Sequence, residues 1–299
     1  SLEAPSLLGI TPPISNAGKV RNRGWELTVN WQDQINSDFS YNVNFMLSDV
    51  RNKILDMHGY KSPTSSLTTR IEGEPIDALF GWQTLGLADT QEKYEQYKDV
   101  MLTYNSNFSM GDIIIADLDK DGKITEADKK IIGNQIPRYT FSLNLGFNYK
   151  ALDFSAMFQG VGGAKALYVG KYMLLSDVEG NFNRSKEIMN AWSPSNTGSN
   201  IPRLSKNDPN SNFSTPSDWY LENASYLRLK NFTVSYDLSD VIRKCAHLQE
   251  RNSMMSVYLS GENLFTITNY SGMDPETGGW DALKYPVSRV FSVGVKLTY

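Results

Sequence analysis

Four acidic residues in one twelve-residue stretch have the spacing of a loop that binds a hard metal ion. Counted from Asp117, they fall at positions 1, 3, 5 and 12, with glycine at position 6. Calcium takes about six to eight oxygen ligands, and such a loop supplies alternating carboxylates, the carbonyl of position 7 and a final carboxylate. The spacing predicts one calcium ion, and the predicted ligands are Asp117, Asp119, Asp121, the Lys123 carbonyl and Asp128.

The residues around this stretch indicate a structural ion rather than a calcium sensor. A sensor EF-hand needs a helix on each side, but Ile113–Ile115 are β-branched, and Gly133 and Pro137 interrupt the segment that follows. The ion would therefore stabilise a long loop within residues 105–138. The alternative is a solvated acidic turn without metal, because Asp128 stands where a longer glutamate is usual.

Most of the remaining chain alternates apolar and polar residues with a period of two, which is typical of β-strands with one apolar face. In the segments 139–149 and 290–299 the alternation predicts two faces. Phe141, Leu143, Leu145, Phe147, Phe291, Val293, Val295 and Leu297 would face lipid. Asn144, Asn148, Ser292 and Lys296 would face a lumen. The runs are about 8 to 11 residues long, the length that a tilted strand needs to cross a bilayer.

A soluble β-sandwich also alternates, so connection lengths are needed to separate it from a membrane barrel. Short turns on one rim, such as Lys150–Ala151, and long polar loops on the other favour an outer-membrane barrel. A β-bulge near Asn231 is expected, because the apolar phase slips there. The predicted strands are 25–32, 39–48, 66–71, 76–87, 139–149, 152–160, 226–237, 256–264 and 290–299; the segment 66–71 is included because the strand directions require it.

Composition excludes several classes of protein. The net charge of −4 offers no basic stripe for nucleic acid, one cysteine excludes an internal disulfide, and no run of 18 apolar residues predicts a membrane-spanning helix. The chain also carries no nucleophile elbow, histidine pair for a metal or phosphate loop, so it is not expected to be an enzyme. A mean hydropathy of −0.40 fits both a soluble protein and a barrel with a polar lumen.

Six sequence blocks, in order along essentially the whole chain, resemble the C-terminal barrel of SusC-like (RagA-like) TonB-dependent transporters. The blocks are Arg21–Leu27, Glu72–Ile76, Gly111–Asp112 through Ile132–Gly133, Ser225–Asn231, Gly261–Thr266 and Met273–Glu276. Several such blocks in order are more specific than any one of them.

The resemblance implies an all-β fold: a transmembrane antiparallel β-barrel segment over residues 1–299, about nine closing strands of a barrel of about 22 strands, with long extracellular loops. It implies a Gram-negative outer-membrane importer of oligosaccharides or peptides. Its partners would be a SusD-like surface lipoprotein, membrane lipid, TonB, and a plug and N-terminal strands that we expect outside this chain. The alternative is a secreted soluble β-sandwich that binds glycans or acts as an adhesin, with structural calcium.

Loop aromatic residues are the candidates for contact with a ligand or with the lipoprotein. Each of them could equally pack within a folded loop, and packing is the commoner role for such residues. The residues are Trp192, Trp219, Tyr220, Trp280 and Tyr285.

Overall fold

The computed structural model describes residues 18–58, 67–176, 183–246 and 254–298. In chain order the strands are β1 (Lys19–Asn36), β2 (Phe39–Asp56), β3 (Thr68–Thr69), β4 (Ala78–Trp82), β5 (Thr84–Leu87), β6 (Ile113–Ile115), β7 (Lys129–Gly133), β8 (Tyr139–Tyr149), β9 (Leu152–Gly162), β10 (Lys165–Tyr168), β11 (Leu221–Asn223), β12 (Tyr226–Asp237), β13 (Met254–Thr268), β14 (Gly279–Asp281) and β15 (Val290–Thr298). The helices are α1 (Gln91–Tyr104), α2 (Gly170–Leu175) and α3 (Ser239–Ala246). None of the described helices has the length and hydropathy required to cross a membrane.

Seven of these strands form one antiparallel sheet, called the main sheet, in the order β1-β2-β8-β9-β12-β13-β15. They correspond to seven of the nine predicted strands. Residue 299, the end of the last predicted strand, lies outside the described residues.

The predicted main-sheet strands 66–71 and 76–87 are wrong. Their described residues form the short strands β3, β4 and β5, which pair in two small separate sheets. The main sheet has no place for them, because β2 pairs directly with β8 from Phe39↔Tyr149 to Asp49↔Tyr139. All five residues of β4 are buried, so this strand lacks the exposed faces of a barrel strand.

The connections differ between the two rims of the main sheet. On one rim, Ser37–Asp38 joins β1 to β2 and Lys150–Ala151 joins β8 to β9, and Lys150 takes a positive φ of 55° to close its turn. The connection that contains α3 also lies on this rim. On the opposite rim, three long loops connect β2 to β8, β9 to β12 and β13 to β15. We call their described residues 67–138, 163–176, 183–225 and 269–289 the loop layer.

Register places the apolar residues of the main sheet on one face, because residues paired across neighbouring strands point to the same side. One apolar row is Leu27↔Leu47↔Phe141↔Gly160↔Leu227↔Ile267, and another is Val29↔Phe45↔Leu143↔Phe158↔Leu229↔Phe265. The predicted bulge is confirmed, since the register of β12 with both neighbours shifts between Leu229 and Asn231. It keeps Val234, paired with Leu259 and through it with Val293, on the apolar face.

The buried core lies mainly in the loop layer. One cluster packs Trp82, Met101, Ile114 and Ile124 together with aromatic residues of α1. The first turn of α1 is capped by Thr90, whose hydroxyl accepts a hydrogen bond from the amide of Lys93 at 3.3 Å. In contrast, residues of the apolar face remain exposed in β15; the exposed fraction of Val293 is 82%.

Candidate functional site

The predicted calcium loop brings three of its four acidic side chains together. One carboxylate oxygen from each of Asp117, Asp119 and Asp128 lies within 4.8 Å of the others. Gly122 takes a φ of +83°, the sharp bend expected at position 6. Asp121 is exposed and outside this group; its carboxylate accepts a hydrogen bond from the amide of Lys123 at 2.8 Å.

Asp128 reaches the other two carboxylates although it is shorter than glutamate. A single 3-10 turn, Glu126–Asp128, follows the capping residue Thr125 and folds Asp128 back over the loop. Its two oxygens accept hydrogen bonds from the amides of Leu118 at 2.7 Å and Thr125 at 2.8 Å. Leu118 lies at the start of the loop and Thr125 near its end, so the fully buried side chain of Asp128 joins the two ends of the loop.

The electrostatics of the loop favour a bound cation. The amide of Asp121 donates to the Asp119 carboxylate, which by itself lowers the pKa of that group. Partial desolvation and the nearby carboxylates of Asp121, Asp128 and Asp117 outweigh this bond and raise the pKa of Asp119 above its ordinary value. A divalent cation would neutralise this repulsion.

The spacing of the oxygens also fits calcium. Two ligands at about 2.3–2.6 Å from one ion can be no more than about 5 Å apart, and the three carboxylates satisfy this limit. The donors are hard oxygen atoms, which suit calcium better than a transition metal. Which further atoms complete the ligand set, including Asp121 and the Lys123 carbonyl, stays a prediction.

Sequence reasoning missed a second feature: ion pairs that attach the loop layer to the main sheet. Arg228 of β12 is 3% exposed, and its guanidinium donates to Asp274 at 2.5 Å and to Glu276 at 2.5 Å. Lys230 of the same strand also contacts Glu276, at 2.9 Å. These contacts join two of the recognised sequence blocks, Ser225–Asn231 and Met273–Glu276.

A second buried carboxylate connects two of the long loops. Asp112, 1% exposed, accepts hydrogen bonds from Arg203 at 3.0 and 2.9 Å, from Asn210 at 2.7 Å and from Asn212 at 3.0 Å. A carboxylate with several charged and neutral donors is stable in a buried position. Asp112 also belongs to a recognised sequence block, but its partners lie about 90 or more residues away and have no local signal.

Glu222 joins the second long loop to the third. Its carboxylate contacts the ammonium group of Lys171 at 2.9 Å and accepts hydrogen bonds from the amide and hydroxyl of Ser271 at 2.8 and 2.7 Å. Close by, the fully buried Asp281 accepts a hydrogen bond from the hydroxyl of Tyr270 at 2.5 Å. These contacts, together with those of Asp112, join the three long loops into one packed unit.

The five candidate loop aromatics have different environments. Trp192 and Tyr220 are each 6% exposed and pack in the loop core. Trp219 donates its indole N–H to the carbonyl of Asn200 at 3.1 Å. Trp280 is 47% exposed and Tyr285 is 88% exposed. Packing therefore explains the first two, while Trp280 and Tyr285 are accessible.

The face of the main sheet opposite the apolar rows is polar. A row of amides crosses it at one level, Asn30↔Asn44↔Asn144, and continues through Met157 to Asn231. The side chain of Asn44 donates to Asn30, and that of Asn144 donates to Asn44 at 3.4 Å. This face contains Asn144, one of the residues predicted to face a lumen.

Known proteins match this chain along nearly its whole length. The family model of the TonB dependent receptor-like β-barrel matches residues 3–264. TonB-dependent receptor P3 of Formosa agariphila is 30% identical over 318 residues, covering 99% of this chain and 30% of that protein. TonB-dependent receptor SusC of Bacteroides thetaiotaomicron is 24% identical over 293 residues, covering 95% of this chain and 27% of that protein.

Solved structures show the same fold. A structure of the RagAB peptide transporter superposes with a TM-score of 0.78 at 22% identity, covering 100% of this chain and 31% of the matched chain. A RagAB peptide importer in an open-open state gives the same TM-score over 99% of this chain. The chain thus spans less than a third of the length of the proteins it matches.

Proposed function

The chain belongs to the TonB-dependent receptor-like β-barrel family of Gram-negative outer-membrane proteins, and we propose that it forms part of the barrel of a nutrient importer. Family membership favours transport over enzymatic activity. It also disfavours the soluble β-sandwich, as does the main sheet, whose apolar face has no second described sheet packed against it.

The observation that carries this proposal is the division of the main sheet into two faces. Apolar residues dominate the same face of all seven strands, and mainly polar residues, including a row of amides, occupy the other. A transmembrane barrel with a polar interior requires this arrangement, because lipid contacts one face and water or a plug contacts the other. Unpaired strand edges are costly in lipid, so β1 and β15 would pair with strands outside this sheet.

The ligand and partners are part of the proposal. SusC and the RagAB transporter are among the similar proteins, which supports a SusD-like surface lipoprotein as the extracellular partner. TonB would act through a part of the protein outside this chain. The transported nutrient would be an oligosaccharide or a peptide, bound on the side of the loop layer.

Transport can be tested with the intact protein in cells. The protein should fractionate with outer membranes and require detergent for extraction, and cells that carry it should accumulate a labelled oligopeptide or oligosaccharide only when TonB is present. Recovery as a soluble secreted protein would contradict the proposal. Uptake that persists without TonB would also contradict it.

We also propose that Asp117, Asp119 and Asp128 hold a structural calcium ion, with Asp121 and the Lys123 carbonyl as further ligands. Calcium at about a hundredfold excess over its dissociation constant should stabilise the loop by about 2.7 kcal/mol. Limited proteolysis of the intact protein, with and without a chelator, measures this as protection of residues 105–138. Asp119→Ala, which removes the ligand oxygen, should abolish the protection, and Asp240→Ala, at an exposed carboxylate of α3, should leave it unchanged.

Equal protection of wild type and Asp119→Ala by calcium would contradict the site. Protection by magnesium at the same concentration would indicate a general electrostatic effect, because magnesium requires a smaller and more regular set of ligands than this loop offers.

A further inference from the structure

The three long loops line an apolar cavity of about 510 Å³ that is partly open to solvent. Its wall includes Leu67 from the first loop, Leu167, Val169 and Phe213 from the second, and Trp280 from the third. The volume lies within the range of about 300–1,000 Å³ that is typical of sites for small ligands. Because every long loop contributes to the wall, the cavity exists only when the loop layer is assembled.

The hydroxyl groups of the wall are already engaged within the protein. Tyr220 donates to the carbonyl of Phe213 at 2.5 Å, Ser214 donates to Asp208 at 2.9 Å, and Thr215 is bonded to the hydroxyl of Tyr104 at 2.9 Å. These account for three of the four hydroxyl-bearing residues of the wall. A ligand would have to break these bonds to use the hydroxyls as hydrogen-bond donors, which costs about 1–3 kcal/mol for each buried group left unpaired.

The wall is also electrically neutral. None of the twelve described residues that line the cavity carries a charge. The nearby Lys171 of α2 is paired with Glu222 at 2.9 Å. A charged ligand group would lose its hydration here without gaining a counter-ion, so the cavity selects a neutral occupant.

The wall is held in place before any ligand arrives. The Asp208 carboxylate accepts hydrogen bonds from the amides of Asn212, Phe213 and Ser214 at 3.0, 3.0 and 2.8 Å. These bonds fix the segment that supplies one side of the cavity. A preformed apolar site binds an apolar group without a further cost of ordering its own wall.

We propose that this cavity is a binding subsite for a large aliphatic or aromatic side chain of an oligopeptide. A sugar ring presents hydroxyls around its whole edge and would find few free partners in this wall. A leucine or phenylalanine side chain needs none, and its burial alone contributes about 1.5–3 kcal/mol. The inference deepens the proposed transport function by assigning peptides to this site.

Two substitutions test the cavity from different directions. Ala282→Phe places a ring in the cavity, and Trp280→Ala removes part of its rim. Met189→Ala is the control, because Met189 is an exposed apolar residue of the loop layer that does not line the cavity. The probes are a fluorescent oligopeptide rich in leucine and phenylalanine, a peptide of equal length rich in serine, and an oligosaccharide of glucose, each titrated into the intact protein.

The apolar peptide should bind the wild type more tightly than the serine-rich peptide by about tenfold or more, which corresponds to burial of one large side chain. Both cavity variants should remove this difference, and Met189→Ala should retain it. Equal affinities for the two peptides would overturn the proposal, as would glucose-oligosaccharide binding that is lost in the cavity variants. Unchanged binding in Ala282→Phe would also overturn it and would indicate that another part of the intact protein fills the cavity.

The same variants separate this inference from the transport proposal. If TonB-dependent uptake of a nutrient persists but the cavity variants bind like the wild type, the subsite is wrong and the import function stands. If uptake does not depend on TonB while the apolar peptide still binds the cavity, the import function is wrong and the subsite stands.

Discussion

The main sheet and the loop layer use apolar side chains in opposite ways. On the main sheet, Val293 and Phe291 are 82% and 72% exposed, whereas Ile114 and Leu79 in the loop layer are 0% and 1% exposed. The sheet keeps its apolar residues on an outer face for lipid, and the loop layer buries them as a water-soluble domain does. The difference follows from the surroundings: a face in contact with lipid can leave apolar residues exposed, whereas a region in contact with water must bury them.

Charge is distributed by the same division. The loop layer holds carboxylates with little exposure, such as Asp112, Asp274 and Asp281, and each accepts hydrogen bonds from specific partners. The polar face of the main sheet instead carries amides, hydroxyls and exposed charged side chains such as Lys296. The loop layer thus depends on individual buried contacts, and the main sheet depends on its backbone ladder and on lipid.

The largest effect should come from breaking the contact that joins the two regions. Arg228→Met leaves Asp274 buried without its cation, a change that costs about 3–5 kcal/mol. Its matched control is Arg243→Met, which removes a surface pair with the exposed Asp240 and should cost at most about 1 kcal/mol. Proteolysis of the intact protein would measure release of residues 269–289. Equal protection in both variants would show that the ion pair does not hold this loop.

A second comparison uses the same substitution in both regions. Ile114→Ala opens a cavity in the loop core and should cost about 2–5 kcal/mol. Ile267→Ala, at a side chain of the apolar face that is 63% exposed, leaves no enclosed cavity and should cost far less. Chemical unfolding of the intact protein in lipid vesicles would measure both. Similar losses of stability would mean that the apolar face is packed like a protein core.

The main sheet was largely predictable because its strands alternate apolar and polar residues, and this alternation is visible in the local sequence. Between Phe141 and Phe147 the alternation gives the strand, its faces and its approximate ends, and Lys150–Ala151 gives the turn. The same rule fails for Ala78–Trp82, which is buried on both faces and so has no exposed side to mark its position. A period-two pattern arises when the two faces of a strand contact different surroundings. A strand of the loop layer that is buried on both faces has the same surroundings on each side, so it shows no such pattern.

The candidate sites show the same limit. The predicted calcium loop is local, so its acidic residues could be picked out by spacing alone, and Asp117, Asp119 and Asp128 do converge. The pair Arg228 and Asp274 is separated by 46 residues, and no periodicity connects them. The apolar cavity needs all three long loops, which individually contain only scattered aromatic residues. Pairing across such distances depends on the assembled fold.

A charge on the apolar face tests its contact with lipid. Val293→Arg should destabilise the membrane-inserted protein by about 2–4 kcal/mol if Val293 lies near the bilayer midplane. Ser292→Arg is the control, because the neighbouring residue of the strand points to the opposite, polar face. Unfolding in lipid vesicles should separate the two variants. Equal destabilisation would argue that both faces contact protein.

The smallest expected effect is an acid-induced loosening confined to the loop layer. Burial by itself raises the pKa of Glu222, but the Lys171 ammonium and the hydrogen bonds from Ser271 outweigh it and hold the pKa below the ordinary value of 4.5. Burial also raises the pKa of Asp274. Hydrogen bonds from Arg228 and from backbone amides, together with the charge of Arg228, outweigh this effect and hold the pKa below the ordinary value of 3.8.

Because both pKa values are lower in the folded state than in the unfolded state, their stabilisation is fully present above the ordinary values and is lost as the pH falls through the folded-state values. The hydrogen-exchange protection of residues 269–289, relative to the intrinsic exchange rate at each pH, should therefore fall below about pH 4, while the backbone of β8 and β9 stays protected. Glu222→Gln should remove the contribution of Glu222 and make this loop less dependent on pH in the acid range. Simultaneous loss of protection in the loop and in β8 would contradict the division, because it would show that the two regions open as one cooperative unit.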